Sequence, residues 1–321
     1  GFANRHFMTS LVHEVRKRME AASVKHNRRL LLGVRVPPGI TDCNRIGIDI
    51  VSWIDEKLVD IVVVGGGFIS FETPVDEFVR AADGSETLVY GCIEATRDTD
   101  DRKLRALAYR WLSDGADGIY LYNFFTRSPE WNRRIASELT EIDKLHLLDK
   151  RYELEFSGSA YGCGGPGCAF NLAQSPTQLP VQIQPNYYSV GPVLRIPIAD
   201  NLEEARAQGV LGSCQLTLQF ETFETTDSLS VYLNGTKLNW DQATTSFDGW
   251  NESTSASLFW LRYPADPVEK HVDGVSVAFE VSPPTLLQGA NEVTVHLHSD
   301  KRPNNQHISM IGLVVDVTYL T

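Results

Sequence analysis

Apolar and polar positions alternate in two different rhythms along this chain, and the change of rhythm divides it. In the first half, short runs of β-branched and aromatic residues recur: Leu30-Leu-Leu-Gly-Val-Arg-Val36, Val59-Asp-Ile-Val-Val-Val-Gly65, a run opening at Thr87 and ending on Glu94, and Gly118-Ile-Tyr-Leu-Tyr-Asn-Phe124. Their starts at 30, 59, 87 and 118 are separated by 29, 28 and 31 residues, the length of one strand-helix unit. Between and before them the period lengthens to that of a helix. Leu11, Val12, Val15, Met19 and Ala22 repeat at three-to-four spacing within Thr9 to His26, with Arg16, Lys17 and Glu20 opposite, and Thr9 or Ser10 as N-cap. Further helices are expected over Asp49 to Lys57, after Thr73-Pro74-Val75-Asp76, through Leu104, Leu107, Ala108 and Trp111 to a stop at Gly115, after Ser128-Pro129-Glu130, and near Glu141 to Lys150. This predicts four consecutive βα units.

From about Arg151 the helical period disappears. Gly, Pro, Ser, Gln and Thr accumulate up to residue 190, and short runs of period-two alternation follow. These are Val193 to Ile198, Cys214 to Phe220, Ser228 to Leu233, Val275 to Val281, Glu292 to Leu297 and Leu313 to Tyr319. Such runs read as half-buried antiparallel strands. Pro197 confines the first to a sheet edge, and Asn234-Gly235 marks a hairpin turn after the third. The organisation expected is therefore an α/β domain over 1–150, a loop-rich connection over 151–190, and a β-sandwich or jelly roll over 191–321.

Composition narrows the classes of function. With 29 Lys and Arg against 41 Asp and Glu the net charge is 29 − 41 = −12, which argues against nucleic-acid binding and against an anionic membrane surface. No apolar run approaches eighteen residues, so no transmembrane helix is expected. The first residues carry no apolar h-region, so no signal peptide is expected, and the absence of an initiator Met suggests a natural chain that begins earlier. Localisation is open, with a weak lean toward an extracellular or periplasmic setting. Of the five cysteines only Cys163 and Cys168 are close, compatible with a local disulfide or with two reduced thiols.

Gly65-Gly-Gly67 invites comparison with a dinucleotide fingerprint, but the third glycine of G-x-G-x-x-G would fall on Ser70, and the helix begins only at Thr73. No cofactor is expected, and no metal, since the eight histidines show no ligand spacing and the alternating His296 and His298 lack an acidic companion.

The details of the first half favour part of a (βα)8 barrel over a small doubly wound sheet. The chain opens on a helix with no strand before it, and every strand end passes into a polar or glycine-rich loop, as at the mouth of a barrel. The four units are then units five to eight, with units one to four absent from this chain and supplied by a second polypeptide or by a portion outside it. The competing reading is a complete flavodoxin-like sheet.

Four stretches carry a resemblance: Leu31-Leu-Gly-Val-Arg-Val-Pro37, Val59-Asp-Ile-Val-Val-Val-Gly-Gly-Gly67, Val89-Tyr-Gly-Cys-Ile-Glu-Ala-Thr-Arg97 and Asp114-Gly-Ala-Asp-Gly-Ile-Tyr-Leu-Tyr-Asn-Phe-Phe125. Over Met8 to about Lys150, and more weakly beyond, the chain resembles glycoside-hydrolase-like TIM-barrel proteins of the family 10 type. The resemblance implies a carboxylate nucleophile at the end of the seventh strand, the place occupied by Glu94, and a general acid at the end of the fourth, which this chain does not contain. Glycoside cleavage needs both, one ionised and one protonated.

Around Glu94 the candidate substrate-binding residues are Arg35, Arg97, Asn123 and Tyr90. Arg35 suits a carboxylate or sulfate on a sugar, or a simple ion pair with Glu94. Asn123 suits a sugar hydroxyl or a loop cap. Tyr90, Tyr120 and Tyr122 fit barrel packing better than sugar platforms, and Trp53 and Trp111 are core. In the β-rich half, Trp240, Trp250 and Trp260 are either sugar-stacking aromatics or buried. Asn234-Gly-Thr236 and Asn251-Glu-Ser253 are glycosylation sequons in a secreted eukaryotic setting. Two functions follow: part of a carbohydrate-active hydrolase whose partner is a carbohydrate, or a catalytically silent carbohydrate-binding or assembly protein. A third, an unrelated α/β enzyme, would require a complete sheet covered on both faces.

Overall fold

The structure is a computed structural model, and it describes residues 1–65, 72–94, 100–122, 124, 127–154, 178–183, 191–225, 227–255, 267–299 and 307–320. The side chains of Glu94, of 252–255, of 267–270 and of Ser299 are not among them. The protein is mixed α/β with several sheets and no closed barrel among the described residues. It forms two compact units.

The first unit holds a four-stranded parallel sheet. A one-turn helix at Phe2–Asn4 leads into α1 (Arg5–His26); then come β1 (Gly33–Val36), α2 (Ile40–Ile46), α3 (Ile50–Asp55), β2 (Ile61–Val64), α4 (Val75–Ala82), β3 (Leu88–Glu94), α5 (Asp101–Ser113) and β4 (Gly118–Tyr122). The strand order is β1-β2-β3-β4, with every pair parallel. A doubly wound sheet reverses its order at a switch point; this one does not. Right-handed crossovers running always the same way put the connecting helices on one face. That face carries Val36, Val62, Val64, Val89 and Ile93, all buried. Gly91 lies among them because Trp111, near the end of α5, fills the space a side chain would need: a Cβ at 91 would overlap the indole. Trp53 and Trp111 are core, as expected.

α1 departs from the expected orientation. It starts four residues before Thr9, and Val12 is its only buried residue. Leu11, assigned to the inner face by periodicity, is 56% exposed, and Arg16, assigned outward, points in. A polar ladder at helical spacing sets the rotation. Arg5 pairs with Asp49 at 2.7 Å, Thr9 accepts from the Trp53 indole at 2.9 Å, His13 meets Glu56 at 2.7 Å, and Arg16 meets Asp60 at 2.8 Å. Four directional contacts on one stripe outweigh the apolar periodicity.

The second unit contains residues 101–110 of α5, then α6 (Pro129–Leu139), α7 (Ile142–Leu145) and a run of antiparallel strands. Ser128 caps α6 by accepting from Trp131 N at 3.2 Å, with Pro129 in the first turn. The strands are β5 (Lys150–Leu154), β6 (Val181–Ile183), β7 (Val193–Ile198), then helix α8 (Leu202–Ala207), β8 (Leu211–Glu221), β9 (Ser228–Leu233), β10 (Thr236–Lys237), β11 (Thr244–Ser246), β12 (Trp250–Ser255), β13 (Pro267–Val272), β14 (Val275–Val281), β15 (Gly289–Ser299) and β16 (Ile308–Tyr319). They make a four-stranded sheet β10-β9-β15-β7, a six-stranded sheet β11-β14-β8-β16-β5 with β6 paired to β16, and the separate hairpin β12-β13.

Pro197 sits on β7, the edge of its sheet. Asn234 and Gly235, with φ 50° and 79°, make the two-residue turn between β9 and β10. β5 and β6 fall within the stretch read from sequence as a connection, and β5 was hidden by its charges. Lys150, Tyr152 and Leu154 are buried while Arg151 and Glu153 are not. A lysine at an inward position obscures the alternation.

Candidate functional site

The sheet face opposite the helices is the candidate site. Register and alternation place Gly33 and Arg35 of β1, Ile61 and Val63 of β2, Leu88, Tyr90 and Cys92 of β3, and Gly118, Tyr120 and Tyr122 of β4 on it. Val63 and Cys92 are buried, but Leu88 is 38% and Tyr120 41% exposed, and Arg35 is exposed. A parallel sheet normally has both faces covered, so partial exposure of this one is a departure to be explained.

Arg35 and Tyr122 lie on the two outermost strands and touch: the guanidinium carbon is 3.9 Å from the ring centroid. In the register, Arg35 shares a row with Val63, Tyr90 and Gly118, and Tyr122 is four residues further along β4. On a flat sheet the two positions would be about 14 Å apart across the strands and about 13 Å along them. They meet because the sheet twists and curls toward this face. The result is a concave surface with a cation stacked on an aromatic face.

Tyr90 packs sideways onto β4. A Cβ at Gly118 would lie 3.3 Å from the Tyr90 ring, so glycine there lets the ring lie across the neighbouring strand. β3 thus uses adjacent residues in opposite ways: Tyr90 covers Gly118 on the concave face, and Gly91 receives Trp111 on the other.

Of the five site residues expected from sequence, Arg35 and Tyr90 share this face with Tyr120 and Tyr122, which the sequence reading assigned to packing. Glu94 is the last residue of β3, its Cα registered with Tyr122. Its side chain, and all of Arg97 and Asn123, lie outside the described residues. Arg35 has Tyr122 as its neighbour and, among the described residues, no carboxylate.

The other candidates resolve into packing where they are described. The Trp240 ring lies 6.4 Å from Phe223 and 5.9 Å from Phe279, and Trp250 packs over Gly274. Both are half-buried. Trp260, Cys163 and Cys168 lie outside the described residues. His296 packs edge-on to Tyr232 at 5.2 Å, and His298 Nε2 is 2.6 Å from Ser230 Oγ. Among the described residues no group of His, Cys, Asp and Glu could hold a metal ion. The Asn234 side chain is fully used: Nδ2 donates to Thr285 O and Asn291 Oδ1, and Oδ1 accepts from Glu292 N, all at 2.8 Å. Asn251 is exposed.

A fully buried polar cluster in the second unit was not anticipated. Lys150 and Asp200 are paired at 2.8 Å with neither side chain exposed. Lys150 Nζ also donates to His146 O at 3.2 Å and Leu148 O at 3.0 Å and sits 4.4 Å from the Tyr109 ring centroid. Tyr152 and Tyr319 both donate to Asp200 at 2.5 Å. Burial, then the charge of Asp200, pushes both tyrosines upward. Every donor of the ammonium is occupied and the pair is sealed from solvent, so the cluster is structural. No protein-family model matches the chain, and no curated protein matches it.

Proposed function

We propose that this chain is the C-terminal part of a carbohydrate-active glycoside hydrolase: four βα units of a (βα)8 barrel, corresponding to units five to eight, followed by a β-sandwich accessory domain. One observation carries the reading. The parallel strands run in sequential order and curl so that Arg35 and Tyr122, three strands apart, meet over a concave face. A sheet that is wound in one direction and curled toward the face away from its helices is what an arc of a barrel looks like. Exposed Phe7 and Leu11 on α1 and the exposed parts of the concave face, Leu88 and Tyr120 among them, are the surfaces the other four units would cover. Glu94 ends β3, and in a barrel enzyme the C-terminal ends of the strands carry the chemistry. Its role is the ionised carboxylate of a pair, with the proton donor supplied by the absent units.

A second reading is a catalytically silent carbohydrate-binding or assembly protein. In its favour, the groups that the sheet brings together on this face, the Arg35 guanidinium and the Tyr122 ring, are suited to binding and not to bond cleavage.

The test is glycoside turnover by the native full-length protein, with any polypeptide that co-purifies, before and after Glu94→Gln. The hydrolase reading expects loss of turnover, and a second carboxylate about 5 to 10 Å from Glu94. Turnover that survives the substitution removes Glu94 from the mechanism. Glycan binding without turnover in the wild type selects the silent reading.

A further inference from the structure

We infer that the concave face selects an anionic sugar, with Arg35 as the residue that receives the acid group; this rests on the glycan reading above and narrows it. The ligand chemistry is a ring bearing a carboxylate or a sulfate ester. The first argument is that Arg35 has no counter-ion among the described residues. In the same unit Arg5 pairs with Asp49, Arg16 and Arg29 with Asp60, Arg45 with Asp42 and Arg80 with Asp76. Arg35 has an aromatic ring where each of these has a carboxylate.

The second argument is orientation. Stacking on Tyr122 at 3.9 Å holds the guanidinium by its face and leaves its edge, where all the N–H donors lie, without an acceptor among the described residues. A planar fork fixed in this way matches the two oxygens of a carboxylate or sulfate.

The third is the surroundings. The chain carries a net charge of −12, yet the described side chains around Arg35 on this face are Val63, Tyr90, Tyr120 and Tyr122, all uncharged at neutral pH. An anionic ring placed against these described side chains meets one cation and several aromatic faces. Tyr120, 41% exposed, offers a surface for the apolar C–H side of such a ring. Arg35 is accordingly a specificity-determining residue, acting in binding and not in bond cleavage.

The experiment is calorimetric titration of the native full-length protein, with any co-purifying polypeptide, against three oligosaccharides of matched length: an oligogalacturonate, a sulfated galactan oligomer and a neutral xylo-oligosaccharide. Binding of either anionic ligand about tenfold or more tighter than the neutral one, falling to the neutral level in Arg35→Met, supports the inference, and the arm that binds tells carboxylate from sulfate. Arg35→Lys keeps the charge but not the fork, so it restores only part of the preference. Retained binding of the neutral ligand by the variants shows that they are folded. Equal affinity for charged and neutral ligands overturns the anionic preference and leaves the glycan reading standing. An anionic preference unchanged in Arg35→Met overturns the role of Arg35. Binding to none of the three overturns the glycan reading together with this inference.

Discussion

Lys150 and Asp200, fifty residues apart in sequence, form an ion pair at 2.8 Å with both side chains wholly removed from solvent. Their burial is tolerable because the remaining valences are filled by the carbonyls of His146 and Leu148 and by the hydroxyls of Tyr152 and Tyr319. Removing one partner leaves the other charge stranded, whereas replacing both removes the need for compensation. Lys150→Met alone should destabilise the protein by about 3–5 kcal/mol. The double change Lys150→Met with Asp200→Leu should cost clearly less than the sum of the two single changes. Urea denaturation of the three variants checks this; additive costs would mean that the two groups are not coupled.

Glycines 91 and 118 lie on neighbouring strands and should respond differently to the same substitution. At 91 an added methyl overlaps the fully buried Trp111 indole, which has no room to withdraw. At 118 it approaches the half-exposed Tyr90 ring at 3.3 Å, and that ring can tilt. Gly91→Ala is expected to cost about 1–3 kcal/mol or more, and Gly118→Ala less than half as much. Thermal melts rank them, and the reverse order would contradict the packing described.

Acidification should weaken both units. Burial raises the Asp100 carboxyl, but hydrogen bonds from Arg102 and the charges of Arg102 and Arg151 outweigh it and hold the group below the ordinary carboxylate range. At Asp60 burial is likewise outweighed by bonds from the Leu32 N–H, Arg16 and Arg29. A folded-state pKa below the unfolded value, about 3.9, means that this stabilisation is complete above that value and is lost as pH falls through the folded pKa. Unfolding free energy should be level above about pH 5 and decline toward pH 3. Asp100→Asn should start lower and show a shallower decline; a decline unchanged by the substitution would remove Asp100 from the linkage.

The two sides of α1 should also separate. Phe7 and Leu11 are 67% and 56% exposed, so Phe7→Ser and Leu11→Ser should change stability by no more than about 0.5 kcal/mol. Arg16→Met breaks a bond to Asp60 and one to the Leu58 carbonyl and should cost about 2 kcal/mol. If the absent barrel units cover the apolar side, the serine variants should in addition lose association with a polypeptide carrying those units. Denaturation midpoints and analytical ultracentrifugation read the two effects independently.

Much of the fold could be read from residue order, and what could not has a common cause. The four parallel strands and, from Val193 onward, β7, β8, β9, β14, β15 and β16 were legible because burial on a sheet imposes period two or an unbroken apolar run, whereas β10 to β13, short or polar, were not. The cap at Ser128 and the turn at Asn234-Gly235 were legible because their chemistry is local, decided by one side chain and one backbone angle. The facing of α1 was not, since four polar contacts to residues 43 or 44 positions away override its own periodicity. Nor was β5, whose inward lysine makes sense only once Asp200 and Tyr319 close around it. Arg35 could be chosen as a candidate from its place at a strand end. That Arg35 stacks on Tyr122, 87 positions later, is a consequence of sheet curvature. Curvature is summed over all four strands and is written in none of them singly.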